Sequence, residues 1–272
     1  MTDFDMVRNY YKSFDEKNRL QNDNSGKLEY DMTMKILEKY LPANGTILDL
    51  GGGAGVYSFP LANKGYKVYL ADLSEDLINQ AKQKRKEEST TNIISCDVVN
   101  AINLSIYDDN QFDVVLLFGP LYHLLEEEER RECISEIKRV LKPGGKIFTS
   151  FIPYLSGSIA IMDRYLKHPE QVDINNLSEV FQSGKFHNAS NIGFQEGYYP
   201  SINEVEELFS SNGFDKVLIR SIRGFGYEKE DSLYNIENKE IFNKVMKLID
   251  ATSENQSIID TCGHAIYIGC KK

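Results

Sequence analysis

The 272-residue sequence lacks the features that mark membrane-spanning, secreted and metal-binding proteins. No apolar run approaches the roughly 20 residues needed to cross a bilayer, and the acidic N-terminal segment does not resemble a signal peptide. The 4 cysteines are scattered, without a CxxC pair or a histidine at metal-ligand spacing. We therefore predict a cytoplasmic protein with reduced thiols, no metal and no membrane partner.

The sequence also lacks an excess of basic residues. It contains 31 Lys and Arg against 41 Asp and Glu, for a formal net charge of −10 and a pI near 5.0. A protein that neutralises several phosphates needs a basic face. The densest basic cluster, residues 82–86, is followed directly by Glu87 and Glu88 and is predicted to be a solvated helix face. The acidic balance argues against a nucleic-acid partner, although a local basic groove remains open.

The most informative pattern that is present is TILDLGGGAG at residues 46–55. Thr46–Leu50 is a β-branched and aliphatic run typical of a buried strand. A glycine cluster then allows a sharp turn and leaves no side chain between the backbone and a ligand. A helix predicted at 56–64 would direct its first amides to the same place. The cluster consists of Gly51, Gly52, Gly53 and Gly55.

Two acidic residues flank this glycine turn. Asp72 ends the next predicted strand, about 20 residues on, the distance at which related folds hold a ribose hydroxyl pair. Asp49 precedes the glycines, where a carboxylate would repel a pyrophosphate but would suit a cationic ligand. The glycines follow G-x-G-x-G rather than the dinucleotide fingerprint G-x-G-x-x-G. We therefore predict a cationic nucleoside ligand, with a glycine loop that only connects a strand to a helix as the alternative.

After residue 46, predicted strands and helices alternate, which indicates a Rossmann-like doubly wound α/β sheet with helices on both faces. The predicted strands are 46–50, 67–71, 92–96, 112–118, 146–151, 215–222 and 263–270. The predicted helices are 56–64, 74–88, 126–141, 158–167, 174–182, 202–212 and 239–253. A Pro-Gly-Gly turn at 143–145 is predicted to separate a helix from the fifth strand.

The alternation breaks after the fifth predicted strand, which indicates an insertion there. We predict one domain, 1–272, with four parts. These are an N-terminal helical lid at 1–40, a cofactor-binding half at 46–151, a substrate cap at 152–200 and C-terminal strands and helices at 201–272.

Several motifs together resemble the class I S-adenosylmethionine-dependent methyltransferases. They are DLGGGAG at 49–55, Asp72, SCD at 95–97, the strand and loop at 112–124, and IKRVLKPGG at 137–145. The resemblance is specific over 46–151 and looser over 201–270. It implies about seven strands, the last antiparallel, and S-adenosyl-L-methionine as cofactor.

A narrower resemblance concerns bacterial small-molecule methyltransferases. The segments that show this resemblance are VRNYY at 7–11, LEY at 28–30, GPLYH at 119–123 and KFHN at 185–188. In that group the N-terminal segment forms a lid over the cofactor. The resemblance transfers no defined methyl acceptor.

The family resemblance implies roles for residues around the first two strands. Asp49 would meet the methionine amino group, Gly51 and Gly53 would allow close approach of the cofactor, and Asp72 would bind the ribose. Leu73 would form an apolar wall beside the adenine. A cap on the following helix is the competing role for Asp72.

Five further cofactor contacts are implied elsewhere. Asp97 would accept a hydrogen bond from the adenine amino group, although an Asp at a strand end is common in turns. Phe118 and Gly119 would line the far side of the cofactor. Tyr11 would cover it, and Arg19 would pair with its carboxylate. An N-terminal helix that packs on the domain without a ligand is the alternative for these last two.

His123 and His187 are the candidate general bases, because a neutral imidazole can accept a proton near pH 7. Tyr122, His123, Phe186 and His187 are the candidate substrate contacts. A histidine bonded within its own loop is the alternative for both bases, and we expect His168 to be exposed and His264 to be structural. The aromatic residues of the insertion are expected either to line a substrate pocket or to form a small core of the insertion. They are Phe181, Phe186, Phe194, Tyr198 and Tyr199.

The sequence thus predicts an enzyme that transfers a methyl group to a small molecule by in-line displacement. Alignment and exclusion of water are then the main tasks of the protein. The alternatives are an RNA or protein methyltransferase, a non-catalytic S-adenosylmethionine-binding protein and a nucleotide-binding oxidoreductase. Oligomeric state is left open.

Overall fold

The computed structural model describes residues 2–13, 19–20, 22–173, 175–188 and 196–272. The described strands are β1 (Thr46–Leu50), β2 (Lys67–Asp72), β3 (Ile93–Val98), β4 (Phe112–Leu117), β5 (Leu141–Phe151), β6 (Lys185–His187), β7 (Glu196–Tyr198), β8 (Phe214–Ser221) and β9 (Ala265–Lys271). Seven of them form one sheet in the order β3-β2-β1-β4-β5-β9-β8, and β6 pairs with β7 separately.

Helices flank both faces of the large sheet. They are α1 (Phe4–Ser13), α2 (Asn24–Tyr40), α3 (Ser58–Asn63), α4 (Glu75–Glu87), α5 (Pro120–His123), α6 (Glu127–Val140), α7 (Tyr154–Lys167), α8 (Asn175–Ser183), α9 (Ile202–Ser211), α10 (Glu230–Tyr234), α11 (Lys239–Thr252) and α12 (Gln256–Thr261). None of the described helices has both the length and the apolar composition needed to span a membrane.

The strand directions match the predicted fold class. β1 pairs in parallel with β2 and β4, and the parallel pairing continues to β3 on one side and β5 on the other. β9 runs antiparallel to both of its neighbours, β5 and β8. The predicted Rossmann-like sheet of seven strands with an antiparallel last strand is therefore confirmed. Ligands of such sheets bind at the carboxyl ends of the parallel strands.

The apolar strands account for the two layers of the core. On one face, buried side chains of α2, α3 and α4 pack on the sheet, as Leu37, Phe59 and Ile78 do. On the other face α6 and α9 do the same, with Ile134 and Phe209. Strands buried on both faces read as continuous apolar runs, which explains why the sequence pattern located them well.

The fifth strand differs from its prediction. β5 begins at Leu141, which pairs with Phe112, whereas Lys146 pairs with Val114. The register shift accommodates the Pro-Gly-Gly segment inside the strand as an irregularity, and Gly144 there has φ +75°. The predicted turn at 143–145 therefore interrupts a strand instead of preceding it.

The insertion after β5 has a small core of its own. α7 begins at Tyr154, four residues before the predicted start, and α8 packs on it. The buried apolar residues of this core are Ile161, Val172, Val180, Phe186 and Tyr199. The three-residue strands β6 and β7 were not predicted, because they are too short for a period-2 pattern. Phe194 and Phe14 lie outside the described residues.

Candidate functional site

The glycine turn after β1 is hydrogen-bonded to the end of β2. The backbone amides of Gly51 and Gly52 both donate to the carbonyl of Ala71, at 2.8 and 3.1 Å. Gly51 has φ +78°, and a Cβ atom built there would lie 2.5 Å from Cδ of Pro120. Only glycine satisfies this backbone conformation and this close approach together. The turn thus brings two peptide segments into contact at the carboxyl edge of the sheet.

Asp72 fixes this turn from the next strand. Its Oδ2 accepts a hydrogen bond from the amide of Gly53, and its Oδ1 accepts one from the amide of Ser74, both at 2.8 Å. Ser74 in turn caps α4 by accepting from the amide of Leu77. The helix cap that the sequence left open for Asp72 is therefore supplied by Ser74. The Asp72 carboxylate organises the loop at the position predicted for a ribose ligand.

Asp49 is a buried carboxylate with one unpartnered oxygen. Its Oδ2 accepts a 2.6 Å hydrogen bond from the Ser58 hydroxyl, and its Oδ1 has no hydrogen-bond partner among the described residues. Burial raises the pKa of Asp49 to about 6; the Ser58 bond opposes this rise and the charge of Asp72 adds to it. A buried, half-satisfied carboxylate is costly unless a cation or donor completes it.

A first cavity, which we call the apolar cavity, lies between α1 and the carboxyl edge of the sheet. It is open to solvent, and its empty space including that open part is about 700 Å³. Its wall consists of Phe4, Val7, Arg8, Tyr11, Leu50, Gly51, Leu73, Ser74, Val99, Asn100, Ala101, Phe118, Gly119, Pro120, Tyr122, His123 and Leu124. Five of the predicted cofactor residues are therefore brought together here: Tyr11, Gly51, Leu73, Phe118 and Gly119.

A second cavity, the polar cavity, continues from the first. Its empty space, including the part open to solvent, is about 590 Å³. It shares Gly51, Phe118 and Tyr122 with the apolar cavity, so the two are ends of one cleft. Its wall consists of Arg19, Leu20, Glu29, Thr33, Asp49, Gly51, Gly52, Ala54, Val56, Tyr57, Phe118, Tyr122, Ser150, Ile222 and His264. The predicted residues Arg19 and Asp49 lie at this end.

The chain is similar to methyltransferases in sequence and in structure. The profile of a family described as a methyltransferase domain matches residues 48–149. The chain is 36% identical to the Bacillus subtilis methyltransferase YqeM over 43% of this chain and 46% of that protein, about half of its length. It is 28% identical to the demethylmenaquinone methyltransferase of Oceanobacillus iheyensis over 80% of this chain and 89% of that enzyme.

A solved structure of a Methanosarcina mazei S-adenosylmethionine-dependent methyltransferase superimposes with a TM-score of 0.61. That match has 22% identity and covers 87% of this chain and 96% of the other, which supports the fold. The comparisons support the assignment to the class I S-adenosylmethionine-dependent methyltransferases, with residues 48–149 matching the methyltransferase domain. The predicted family and its cofactor, S-adenosyl-L-methionine, are thereby confirmed.

The N-terminal helix of the protein covers one side of the apolar cavity. The hydroxyl of Tyr11 lies 2.9 Å from Nε2 of His123, and the two rings meet edge to face. Thr2 anchors the start of the helix, since its backbone amide and hydroxyl both donate to the Glu129 carboxylate. These contacts give α1 the position of a lid.

His123 lies in the apolar cavity, but its surroundings disfavour the predicted role of base. Burial lowers the pKa of its imidazole to about 3, so the ring is neutral at pH 7 and holds a proton weakly. Its hydrogen bond with Tyr11 supports a role in holding the lid. The assignment of His123 as a base stays a prediction.

Five predicted site residues line neither end of the cleft: Gly53, Asp72, Asp97, Phe186 and His187. Gly53 and Asp72 bond to each other beside it. Asp97 accepts hydrogen bonds from Ser95 and Tyr107 at 2.6 and 3.0 Å and lines neither cavity. His187 lies on β6 in the insertion, with its Nδ1 2.9 Å from Glu179. Phe186 is buried in the insertion core.

The reasons for these differences are local. β3 continues past Asp97 to Val98, and the residues that follow the strand, Val99, Asn100 and Ala101, form the cavity wall. Phe186 stacks on Tyr199 with ring centroids 5.7 Å apart, which supports the core alternative over a pocket wall. His187 is held between carboxylates, 2.9 Å from Glu179 and 3.8 Å from Glu196.

Sequence reasoning predicted Arg19 and Asp49 but missed Glu29 and His264 as members of the polar cavity. Nη1 of Arg19 lies 3.0 Å from Oε1 of Glu29, and Oε2 of Glu29 lies 2.9 Å from Nδ1 of His264. These residues are far apart in the chain, so no local spacing could reveal the cluster. An acid inside an otherwise apolar helix face at Glu29 was the one available signal.

Proposed function

We propose that the protein transfers the methyl group of S-adenosylmethionine to a small-molecule acceptor held in this cleft. The unpartnered Oδ1 of Asp49 carries the proposal, because it is buried beside the glycine turn where an ammonium or sulfonium would complete it. Gly51 lines both cavities and offers only backbone to such a ligand. Both features fit the family's cofactor.

The two ends of the cleft suit different parts of that cofactor. Leu73, Val99 and Phe118 offer apolar walls for a base in the apolar cavity. Asp72 lines neither cavity but directly precedes Leu73 and Ser74 of the apolar cavity wall. One backbone amide orients each of its oxygens, and a carboxylate can accept further hydrogen bonds, here from ribose hydroxyls. Asp49 and Arg19 offer opposite charges for the amino and carboxylate groups in the polar cavity.

Methyl transfer from a sulfonium needs alignment more than protein chemistry, because the leaving group is already activated. The bound cofactor supplies the methyl group; the chain's residues hold the reacting atoms in line and exclude water. The lid contact between Tyr11 and His123 closes one side of the cleft. A small acceptor is supported by the cleft, the net charge of −10 and a relative named for demethylmenaquinone.

Calorimetry with S-adenosylhomocysteine tests the proposed cofactor site. We expect the parent protein to bind it and Asp72→Ala to weaken binding by about 100-fold or more, since a carboxylate bonded to two hydroxyls is worth about 1.5–3 kcal/mol per bond. Asp76→Ala is the matched control, because Asp76 is an exposed acid in the first turn of α4.

Asp72→Ala also frees the amides of Gly53 and Ser74, so Asp72→Asn is measured beside it, with thermal unfolding as a check on folding. Asn keeps one acceptor oxygen for the loop and removes the charge. Equal affinity of the parent and both folded variants would overturn the proposed site. Absence of any binding by the parent would overturn the proposed function.

A further inference from the structure

A carboxylate and a histidine meet at the far end of the polar cavity. Nδ1 of His264 lies 2.9 Å from Oε2 of Glu29, and both residues line the cavity wall together with Ser150 and Ile222. His264 directly precedes β9, and its carbonyl accepts a hydrogen bond from the amide of Ile222. The imidazole is thus fixed at the same sheet edge as the glycine turn, two strands beyond β4.

The charge on Glu29 is held by its neighbours. Burial alone would raise the pKa of its carboxyl, but the neighbouring His264, Arg19 and Arg223 outweigh burial and keep the pKa well below its usual range. An ionised carboxylate only accepts hydrogen bonds. It therefore selects the tautomer of His264 that carries its proton on Nδ1, which leaves the lone pair on Nε2.

Among the described histidines, His264 is the one whose surroundings suit proton transfer in this cleft. His123 is neutral and weakly basic, His187 lies in the insertion and His168 is exposed. The ring of Tyr122, which lines both ends of the cleft, lies 6.1 Å from the His264 ring. The imidazole of His264 is therefore near Tyr122, one of the three residues that line both cavities.

We propose that Glu29 and His264 form a general-base pair for an acceptor that carries a hydroxyl group; this rests on the proposed methyl transfer. The acceptor oxygen forms a bond to the methyl carbon while the carbon–sulfur bond breaks, and its electron pair leaves on sulfur as the neutral thioether. The hydroxyl proton passes to Nε2 of His264. Glu29 stabilises the resulting imidazolium and acts as a positioning residue.

The first experiment compares His264→Asn with His168→Asn in the full chain. Asn keeps a donor near Glu29 but removes Nε2, and His168 is an exposed histidine in the insertion. Phenol, catechol, 4-hydroxybenzoate and 1-naphthol are the probes, with S-adenosylhomocysteine release as the measure of turnover. We expect His264→Asn to lower kcat by about 10²–10⁴-fold, the usual contribution of a general base, and His168→Asn to leave it unchanged.

Binding separates this result from a failure of the cofactor site. S-adenosylhomocysteine affinity, measured by calorimetry, is expected to stay within about threefold in His264→Asn. Equal kcat in the two variants would overturn the general base. A parent that binds S-adenosylhomocysteine but methylates none of the phenols would overturn the hydroxyl acceptor. A parent that does not bind it would overturn the proposed function itself.

Glu29→Gln tests the positioning role. Nitrogen-15 spectra of the imidazoles are expected to show the Nδ1-protonated tautomer of His264 in the parent and its loss in Glu29→Gln, with smaller loss of kcat than in His264→Asn. The charged or titratable groups around the pair are Arg19 and Arg223, which act on Glu29, and Tyr122, whose ring lies 6.1 Å from that of His264. An unchanged tautomer in Glu29→Gln would overturn the pairing.

Discussion

The two ends of the cleft are built from the chain in different ways. The wall of the apolar cavity comes from α1 and from short segments that directly follow β1, β2, β3 and β4. The wall of the polar cavity combines single residues from segments as distant as Arg19, Ser150 and His264. The first end is a product of local motifs, whereas the second exists only once the whole sheet has formed.

The two ends also differ in how they remain stable without a ligand. Apolar walls gain free energy from burial, but the polar end buries charges that must compensate one another. Glu29 achieves this through Arg19 and His264, and Asp49 only in part through Ser58. The uncompensated oxygen of Asp49 indicates that stability has been given up at this point for binding.

A substitution of Gly51 is expected to have the largest effect on ligand binding, because Gly51 lines both the apolar and the polar cavity. Gly51→Ala places a methyl group 2.5 Å from Pro120, in a backbone conformation with φ +78°. We expect loss of S-adenosylhomocysteine binding by more than about 100-fold, together with a lower melting temperature, since the clash adds to the cost of a left-handed residue.

Gly144→Ala is the matched control for this substitution. Gly144 has φ +75°, and nothing lies within 4 Å of its added Cβ, so strain is present without a clash. We expect it to cost about 1–2 kcal/mol of unfolding free energy and to leave binding unchanged. Equal binding by the two variants would show that Gly51 does not govern the cleft.

Neutralising Asp49 is expected to have the next largest effect and to act on the polar end alone. Asp49→Asn should weaken S-adenosylmethionine binding by about 10–100-fold, the value of a lost charge-assisted hydrogen bond. Since the buried charge is gone, the ligand-free variant should melt about 2–4 °C higher at pH 7.5. Asp113→Asn, at the opposite end of the sheet, is the control for binding.

The pH dependence of binding sharpens this test. The pKa of Asp49 is raised to about 6, so the carboxylate ionises as pH rises through that value. Affinity of the parent for S-adenosylmethionine should therefore increase between pH 5 and 7, and the Asp49→Asn variant should lack this increase. A parallel pH dependence in both proteins would contradict the assignment of Asp49.

The smallest expected effect concerns stability at the apolar end. Because the pKa of His123 is about 3 in the folded chain, the unfolded chain takes up a proton first as pH falls below about 6.5. The stabilisation by the neutral ring is present above pH 6.5 and is lost toward pH 3. Between pH 7 and 5 this group should cost the parent about 2 kcal/mol of unfolding free energy.

Urea unfolding at pH 7 and pH 5, followed by circular dichroism, measures this cost. His123→Gln should lose about 2 kcal/mol less than the parent over this interval, and His168→Gln should behave as the parent does. The same loss in all three proteins would mean that His123 can take up a proton in the folded state.

The sequence located the sheet and the apolar end closely. β1 occupies the predicted residues 46–50, and β2, β4 and β8 lie within one residue of their predictions. These strands are apolar runs bounded by glycine or acids, so local composition alone defines them. The prediction for β5 was less accurate. The strand continues, with a register shift, through the Pro-Gly-Gly segment that the sequence pattern marked as a turn.

The site could be predicted where one segment carries both the signal and the contact. The sequence pointed to Asp49, Gly51 and Asp72 because each ends or follows a strand whose direction the pattern already shows, and their roles toward a cofactor stay predictions. His264 was assigned a structural role, and Glu29 was not considered, since neither has a partner within one turn of helix or one strand. Asp97 was placed at the cleft because the strand end was set two residues too early.

The amino-acid order by itself determined the alternation of strands and helices, the glycine turn and the acids beside it, because these depend on interactions between near neighbours. Only the tertiary structure decided which distant charges share the polar cavity. Bringing Arg19, Glu29 and His264 within hydrogen-bond distance requires the sheet order that sets β9 beside β5 and packs α2 against the same face. Electrostatic pairing acts through space, and its partners are fixed by packing and not by spacing in the chain.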